Sequence, residues 1–344
     1  MMTPRSFAAS SSAKADLPLA VGPAMRMTVD MPFGSHDMSY VATLISAPER
    51  PAVTEPLAAR VAEKLPQARL GGWLHPGVAI DVVFDDPPDK PGATIDLLKK
   101  LTHELRGVIG PAPVDLVVQL QDVRRKKLLV ADMDSTMIGQ ECIDELADYA
   151  GFKDRVAAIT ERAMRGEIAF APALRERVAL LRGLPALTID KVITERIRPN
   201  PGAAVLVKTM RAHGAYTCVV TGGFTAFMAP LAAAIGFDEY HANTLLTDGA
   251  GRLTGEVAEP VLGREAKRGT LLALRQRLRL RREDTLAVGD GANDVPMIEA
   301  AGLGIAFRGK PALREAAGAR IDYGDLTALL YAQGYGREDF VEAV

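Results

Sequence analysis

Apolar and polar positions alternate in two stretches of the first third of the chain. Val78, Ile80, Val82 and Phe84 recur every second residue, and so do Val114, Leu116, Val118 and Leu120. That is the period of a half-buried strand. Residues 41–45 form a shorter apolar run. Leu57, Val61 and Leu65 recur every four residues behind Thr54, a residue type that caps helices. Leu98, Leu101, Leu105 and Val108 mark a second helix. Gly71-Gly72 and the Pro-rich stretch 87–92 read as breaks between elements. The predicted order over residues 39–121 is βαββαβ, an α+β unit with helices on one face of its sheet.

Past a polar, basic junction at 121–127 the pattern changes. Leu128–Ala131, 216–220, 285–288 and Leu303–Phe307 are continuous apolar runs, as expected of strands buried on both faces of a parallel sheet. Helical segments alternate with them. An insert at 139–198 has helical periodicity throughout, with Val156, Ile159 and Ala163 on one face and Leu174, Val178 and Leu181 on another. A Gly-containing hairpin is predicted near 245–254. The fold class is α/β: a doubly wound parallel sheet (126–138 and 199–335), a helical cap (139–198) inserted in it, and the N-terminal α+β unit. Residues 1–38, rich in Ser, Ala, Met and Pro, read as a flexible tail without the pattern of a signal peptide.

Composition narrows this picture. With 344 residues, 48% hydrophobic, the chain can fill more than one core. A formal net charge of -2 gives no reason to expect a nucleic-acid or anionic-membrane partner. No apolar run is long enough to span a bilayer. Two cysteines, Cys142 and Cys218, fit a reducing, cytoplasmic compartment and read as small buried residues, with no histidine nearby to act as a base. The five histidines show no metal-ligand spacing.

Chemistry concentrates in four segments, each at the carboxyl end of a predicted strand or in the helix after it. Asp132-Met133-Asp134-Ser135-Thr136 sets two carboxylates at i and i+2, a pair that a divalent cation would neutralise. Thr221-Gly222-Gly223 follows the second strand, where a hydroxyl and approachable backbone amides can hold an anion. Lys267 begins a helix. Gly289-Asp290-Gly291-Ala292-Asn293-Asp294 follows the third strand and places Asp290 and Asp294 four residues apart, able to face one ion. Each segment alone also has a structural explanation as a turn or cap. Together they supply what phosphoryl transfer needs, a nucleophile and neutralised charge.

These four segments resemble the four motifs of the haloacid dehalogenase superfamily, and within it most nearly the phosphoserine phosphatases. The resemblance covers about residues 126–330 and extends to the cap, through Glu141, Met164, Phe170 and Arg177. It implies the last step of L-serine biosynthesis, hydrolysis of O-phospho-L-serine through an aspartyl-phosphate on Asp132, with Asp134 as acid and base. Mg²⁺ is expected on Asp132, Asp134 (through its carbonyl) and Asp290, with Asp294 beside it. Thr221, Gly222, Gly223 and Lys267 are expected to hold the phosphoryl group, with Asn293 orienting it or Lys267. Glu141 is expected to meet the substrate ammonium and Arg177 its carboxylate, with Met164 and Phe170 nearby. The departure is Thr221, where the family usually has Ser. Residues 39–121 look like an ACT-type unit by element order, implying an L-serine site and a homodimer. Two rival readings stay open: a phosphatase or phosphotransferase for another small phosphomonoester, and a non-catalytic amino-acid sensor.

Overall fold

The computed structural model of the chain describes residues 39–85, 95–165 and 167–342. The tail expected at 1–38 and the Pro-rich break at 87–92 lie outside the described residues. The first elements are β1 (Ser39–Ile45), α1 (Glu55–Ala62), β2 (Arg69–His75), β3 (Ala79–Asp85), α2 (Ile95–Ile109) and β4 (Asp115–Leu120). They follow the expected βαββαβ order. Next come β5 (Leu128–Ala131), α3 (Cys142–Tyr149), α4 (Lys153–Met164), α5 (Phe170–Ala179), α6 (Leu187–Arg196), α7 (Ala203–Ala212), β6 (Tyr216–Phe224), α8 (Thr225–Ile235) and β7 (Glu239–Asn243). The remainder is β8 (Leu245–Thr247), β9 (Leu253–Val257), α9 (Arg264–Arg277), β10 (Thr285–Gly289), α10 (Val295–Ala300), β11 (Leu303–Phe307), α11 (Pro311–Ala316), β12 (Ala319–Ile321) and α12 (Ala328–Ala332).

Ten of these strands form one sheet in the order β2-β3-β1-β4-β12-β11-β10-β5-β6-β7. From β12 to β7 all neighbours are parallel. From β2 to β4 they are antiparallel. The two halves meet where Arg320 of β12 pairs antiparallel with Leu116 of β4. The hairpin β8–β9 stands apart as a second, two-stranded sheet. β5 lies between β10 and β6, so the chain leaves it toward one side and returns on the other. That is the switch point where ligands bind in such sheets.

Tyr40, Ala42 and Leu44 of β1 pack with Ile80, Val82 and Phe84 of β3 and with Leu57, Val61 and Leu105 of α1 and α2. Thr54 caps α1 by accepting the Leu57 amide at 3.3 Å. The opposite face is not open to solvent as the alternation suggested. Ile45, Ala79 and Val117 share a second core with Leu329, Leu330 and Tyr331 of α12. The polar position Asp81 is buried on that face too, where it accepts a hydrogen bond from the Thr43 hydroxyl at 2.8 Å and pairs with Arg124 at 2.7 Å. Gly71-Gly72 also differs from expectation. Instead of separating elements it sits inside β2, whose register with β3 shifts between Leu70 and Trp73. A side chain at Gly71 would lie 2.9 Å from the Asp81 Cβ, so the irregular strand and the glycine go together.

The cap expected at 139–198 contains α3 to α6. Leu146, Leu174, Val178, Leu181, Ile189 and Val192 bury their apolar faces against Phe224 at the end of β6 and Phe227 and Leu231 of α8. A backbone bridge between Pro185 and Arg252 joins it to the β8–β9 hairpin. The cap is therefore seated over the carboxyl ends of β5 and β6. Among the described residues no helix is long and apolar enough to cross a membrane.

Candidate active site

Three of the four chemical segments line one cavity of about 150 Å³, roofed by the cap, and the fourth, Lys267, is buried against Asp132. Asp132, Asp134, Glu141, Phe170, Arg177, Thr221, Gly222, Gly223, Asp290 and Asn293 all line it. Parallel pairing of β5 with β6 and β10 brings the strand ends level, with Ala131 beside Val219 and Val288. The Asp132 amide continues the pairing, donating to the Val288 carbonyl at 3.0 Å.

Asp132 Oδ1 accepts from the Met133 amide at 2.7 Å and from Lys267 Nζ at 2.7 Å. Lys267, near the start of α9, is buried beneath the cavity rather than on its wall, and its ammonium also donates to Asp294 Oδ1 at 2.6 Å. Asp294 Oδ2 accepts the amides of Asp290 and Gly291 at 3.2 and 3.0 Å. Asp294 thus fixes the 290–291 turn from behind, while Asp290 reaches the cavity. Gly289 allows this, since a Cβ there would stand 2.4 Å from the Asp294 Cγ.

Burial, then the Asp294 carboxylate, push Asp132 well above the usual carboxylate range, against the pull of Lys267. Burial opposes the charge on Lys267 as well, but Asp132 and Asp294 outweigh it and hold the ammonium above the ordinary lysine value. Burial also raises Asp134, although the Cys142 amide donates to its Oδ1 at 3.1 Å. The Thr221 hydroxyl donates to Asp134 Oδ2 at 3.4 Å and accepts the Gly223 amide at 2.9 Å.

Carboxylate oxygens of Asp132, Asp290 and Asp294 lie within 4.8 Å of one another. With Lys267 already shared between two of them, the cluster retains excess negative charge. Hard oxygen donors in that arrangement fit a divalent cation.

The cap supplies the other wall. Burial, then the Asp134 carboxylate, raise Glu141 to about 7, and its Oε1 accepts the Ser135 hydroxyl at 2.7 Å. Ser135 itself has a φ of 56°, the left-handed region that bends the chain back from β5. Arg177 turns inward from α5, where its Nε donates to the Ala173 carbonyl at 3.3 Å. Its neighbour Arg175 points away to pair with Glu259 at 2.5 Å. Phe170 touches the phosphate-type loop so closely that a Cβ on Gly222 would stand 2.9 Å from its Cζ. The Met164 side chain lies outside the described residues.

Lys310 also lines the cavity, and sequence reasoning missed it. Its Nζ lies 3.0 Å from Asp290 Oδ2, and its amide donates to the Asp290 carbonyl at 2.8 Å. The available signal was its position three residues beyond Leu303–Phe307, the strand to which no chemistry had been assigned. Cys218 is a small buried residue, as expected. The expectation that no histidine lies near it fails: Cys218, Glu239 and His241 place ligand atoms within 4.8 Å of one another, because parallel β6 and β7 align them on one face. Burial holds the Cys218 thiol far above its ordinary range. Glu239 is already engaged by Tyr216, His241 and Arg277 at 2.7, 2.7 and 2.6 Å.

Comparison with known proteins gives the chain a family. The family model of haloacid dehalogenase-like hydrolases matches residues 129–299. A phosphoserine phosphatase of Polaromonas is 45% identical over 208 residues, 59% of this chain and 88% of the relative. The chain belongs to the phosphoserine phosphatases of the haloacid dehalogenase-like hydrolases. It is an enzyme, a phosphatase. The phosphoserine phosphatase SerB2 of Mycobacterium tuberculosis is 40% identical over 277 residues, 73% of this chain and 67% of that one. A solved phosphoserine phosphatase with bound substrate covers 60% of this chain and 97% of its own, at 41% identity and a TM-score of 0.56.

Proposed function

We propose that the chain hydrolyses O-phospho-L-serine to L-serine and phosphate, with Asp132 as nucleophile and Asp134 as acid and base. One observation carries this reading: Asp132, clamped by Lys267, faces the same cavity as an acidic group, Glu141, and a guanidinium, Arg177. Phosphoserine has one ammonium and one carboxylate besides its phosphate, and a planar guanidinium suits the carboxylate.

In the first step a carboxylate oxygen of Asp132, whose negative charge the Lys267 ammonium favours against burial, attacks phosphorus and the bond to the serine oxygen breaks. Asp134, which burial favours in its protonated form, gives that oxygen its proton. In the second step water attacks the aspartyl-phosphate, Asp134 takes its proton, and Asp132 is released. Thr221, the Gly222 amide and Asn293 would hold the phosphoryl oxygens, with the Gly223 amide orienting the Thr221 hydroxyl. Lys267 fixes Asp132 from below. Asp132, Asp290 and the Asp134 carbonyl would hold Mg²⁺, with Asp294 fixing their turn. Bound there, the ion would neutralise phosphoryl charge. The cap closes the cavity against bulk water. On the same resemblance, residues 39–121 are a proposed L-serine-binding and dimer-forming unit, which equilibrium dialysis with serine and sedimentation would test.

Phosphate release from O-phospho-L-serine, with and without Mg²⁺, tests the assignment. Asp132→Asn is expected to lose at least about 10³-fold in kcat. Near-wild-type turnover by that variant would overturn the nucleophile. Faster hydrolysis of a phosphomonoester without the amino-acid backbone would overturn the substrate.

A further inference from the structure

The joint between the two halves of the sheet carries a cleft that the chemistry above does not use. Its volume is about 230 Å³, between α2 on one side and α11 with β12 on the other. Lys99, Thr102, His103 and Arg106 line it from α2, and Arg314 and Arg320 from the core. Three guanidinium groups converge on a single oxygen. Arg314 lies 2.9 Å, Arg320 3.5 Å and Arg106 3.9 Å from Asp322 Oδ2. Lys99 adds an ammonium that donates to the Ala316 carbonyl at 3.0 Å, at the end of α11.

One guanidinium suffices to neutralise a carboxylate. Four cations, Lys99, Arg106, Arg314 and Arg320, line the cleft with one exposed carboxylate, Glu315, while Asp322, which pairs with the three arginines, lies outside its lining. Like charges crowded at one point repel one another, and a dianion entering the cleft would relieve that repulsion. Planar guanidinium forks match phosphate oxygens two at a time. Cleft walls concentrate the field, so the site attracts anions more strongly than the same charges spread over a flat surface.

We propose that this cleft is a binding site for a small phosphate-type dianion, separate from the cavity at Asp132. It is built from both halves of the molecule, so occupancy ties α2 to the core. The shared chemistry is the dianionic phosphate group, whether inorganic or carried on a small organic ester.

The test is isothermal titration of the metal-free full chain with inorganic phosphate and, in a second arm, glycerol 2-phosphate. Stronger binding in one arm tells the two sources apart. Binding is expected in the millimolar range or tighter. Arg314→Gln and His103→Glu should each weaken it about fivefold or more, while Asn293→Ala in the other cavity, where the phosphoryl group of the substrate is proposed to sit, should leave it within about twofold. His103→Glu removes none of the ion pairs described above, so it keeps the test sound if Arg314→Gln unfolds more easily. Absence of binding in the wild type up to about 10 mM would overturn the proposal. So would binding that neither cleft variant weakens, as expected of phosphate held only in the cavity at Asp132, or loss confined to an Arg314→Gln protein with a lowered unfolding midpoint. None of these results depends on hydrolysis of phosphoserine.

Discussion

Among the described residues two lysines are almost fully buried, and their surroundings drive them in opposite directions. Lys267, under the catalytic cavity, lies between Asp132 and Asp294 and is held in its charged form. Lys126, in the junction between β4 and β5, donates to the carbonyls of Val123 and Glu283 at 2.7 and 2.9 Å. Burial lowers it to about 8, although Asp284 and Glu283 pull the other way. Carbonyl oxygens satisfy hydrogen bonds without supplying a full countercharge. Two carboxylates at contact distance do both. Removing water therefore weakens the hold of one lysine on its proton and the two aspartates strengthen that of the other, and only the second belongs to a site built to handle charge.

The largest expected effect comes from taking the cation out of the first cluster. Lys267→Met leaves Asp132 and Asp294 buried without compensation. The metal-free protein should lose about 3–5 kcal/mol of stability in chemical denaturation, and phosphate release should fall by about 10³-fold or more. A stable variant with near-normal turnover would remove the basis of the comparison.

Asp294→Asn is expected to act next most strongly. It weakens the Lys267 clamp and the two amide bonds that shape the 290–291 turn, so stability should fall by about 2–3 kcal/mol. If only metal affinity changed, Asp294 would be a ligand rather than the support described here.

For Lys126 the sign follows from its lowered value. Between about pH 8 and its ordinary 10.5, the unfolded chain binds a proton that the folded chain does not. Stability should therefore rise with pH across that window, by at most about 3 kcal/mol. Lys126→Met removes this contribution, so the wild-type minus variant stability should climb over the same range. A flat difference would show that the junction tolerates the charge after all.

The smallest effect is expected where every charge is kept. Thr221→Ser retains the hydroxyl that accepts the Gly223 amide, and both kcat and KM for phosphoserine should stay within about threefold. A larger change would mean that the Thr221 methyl positions the substrate.

Much of the site was legible in the sequence because it is carried by local grammar. Apolar runs end in Asp132, Thr221 and Asp290, and parallel pairing must bring such strand ends to one edge. Lys310 escaped notice since a lone lysine after a strand has no local mark. Cys218 and His241 escaped it since their proximity depends on β6 lying beside β7. Asp81 shows the same limit in the N-terminal unit. Period-two alternation assigned it to water, yet α12, more than two hundred residues later, covers that face.

The order of elements, the four chemical segments and the cap followed from residue types and their spacing alone, because strand and helix periods and the need to neutralise paired carboxylates are properties of short stretches. Tertiary structure decided which charges share a partner. Lys267 between two aspartates, three arginines on Asp322 and a buried Thr43–Asp81–Arg124 network all join positions far apart in the chain. Their energies depend on distance and on the exclusion of water, and neither exists until the chain has folded.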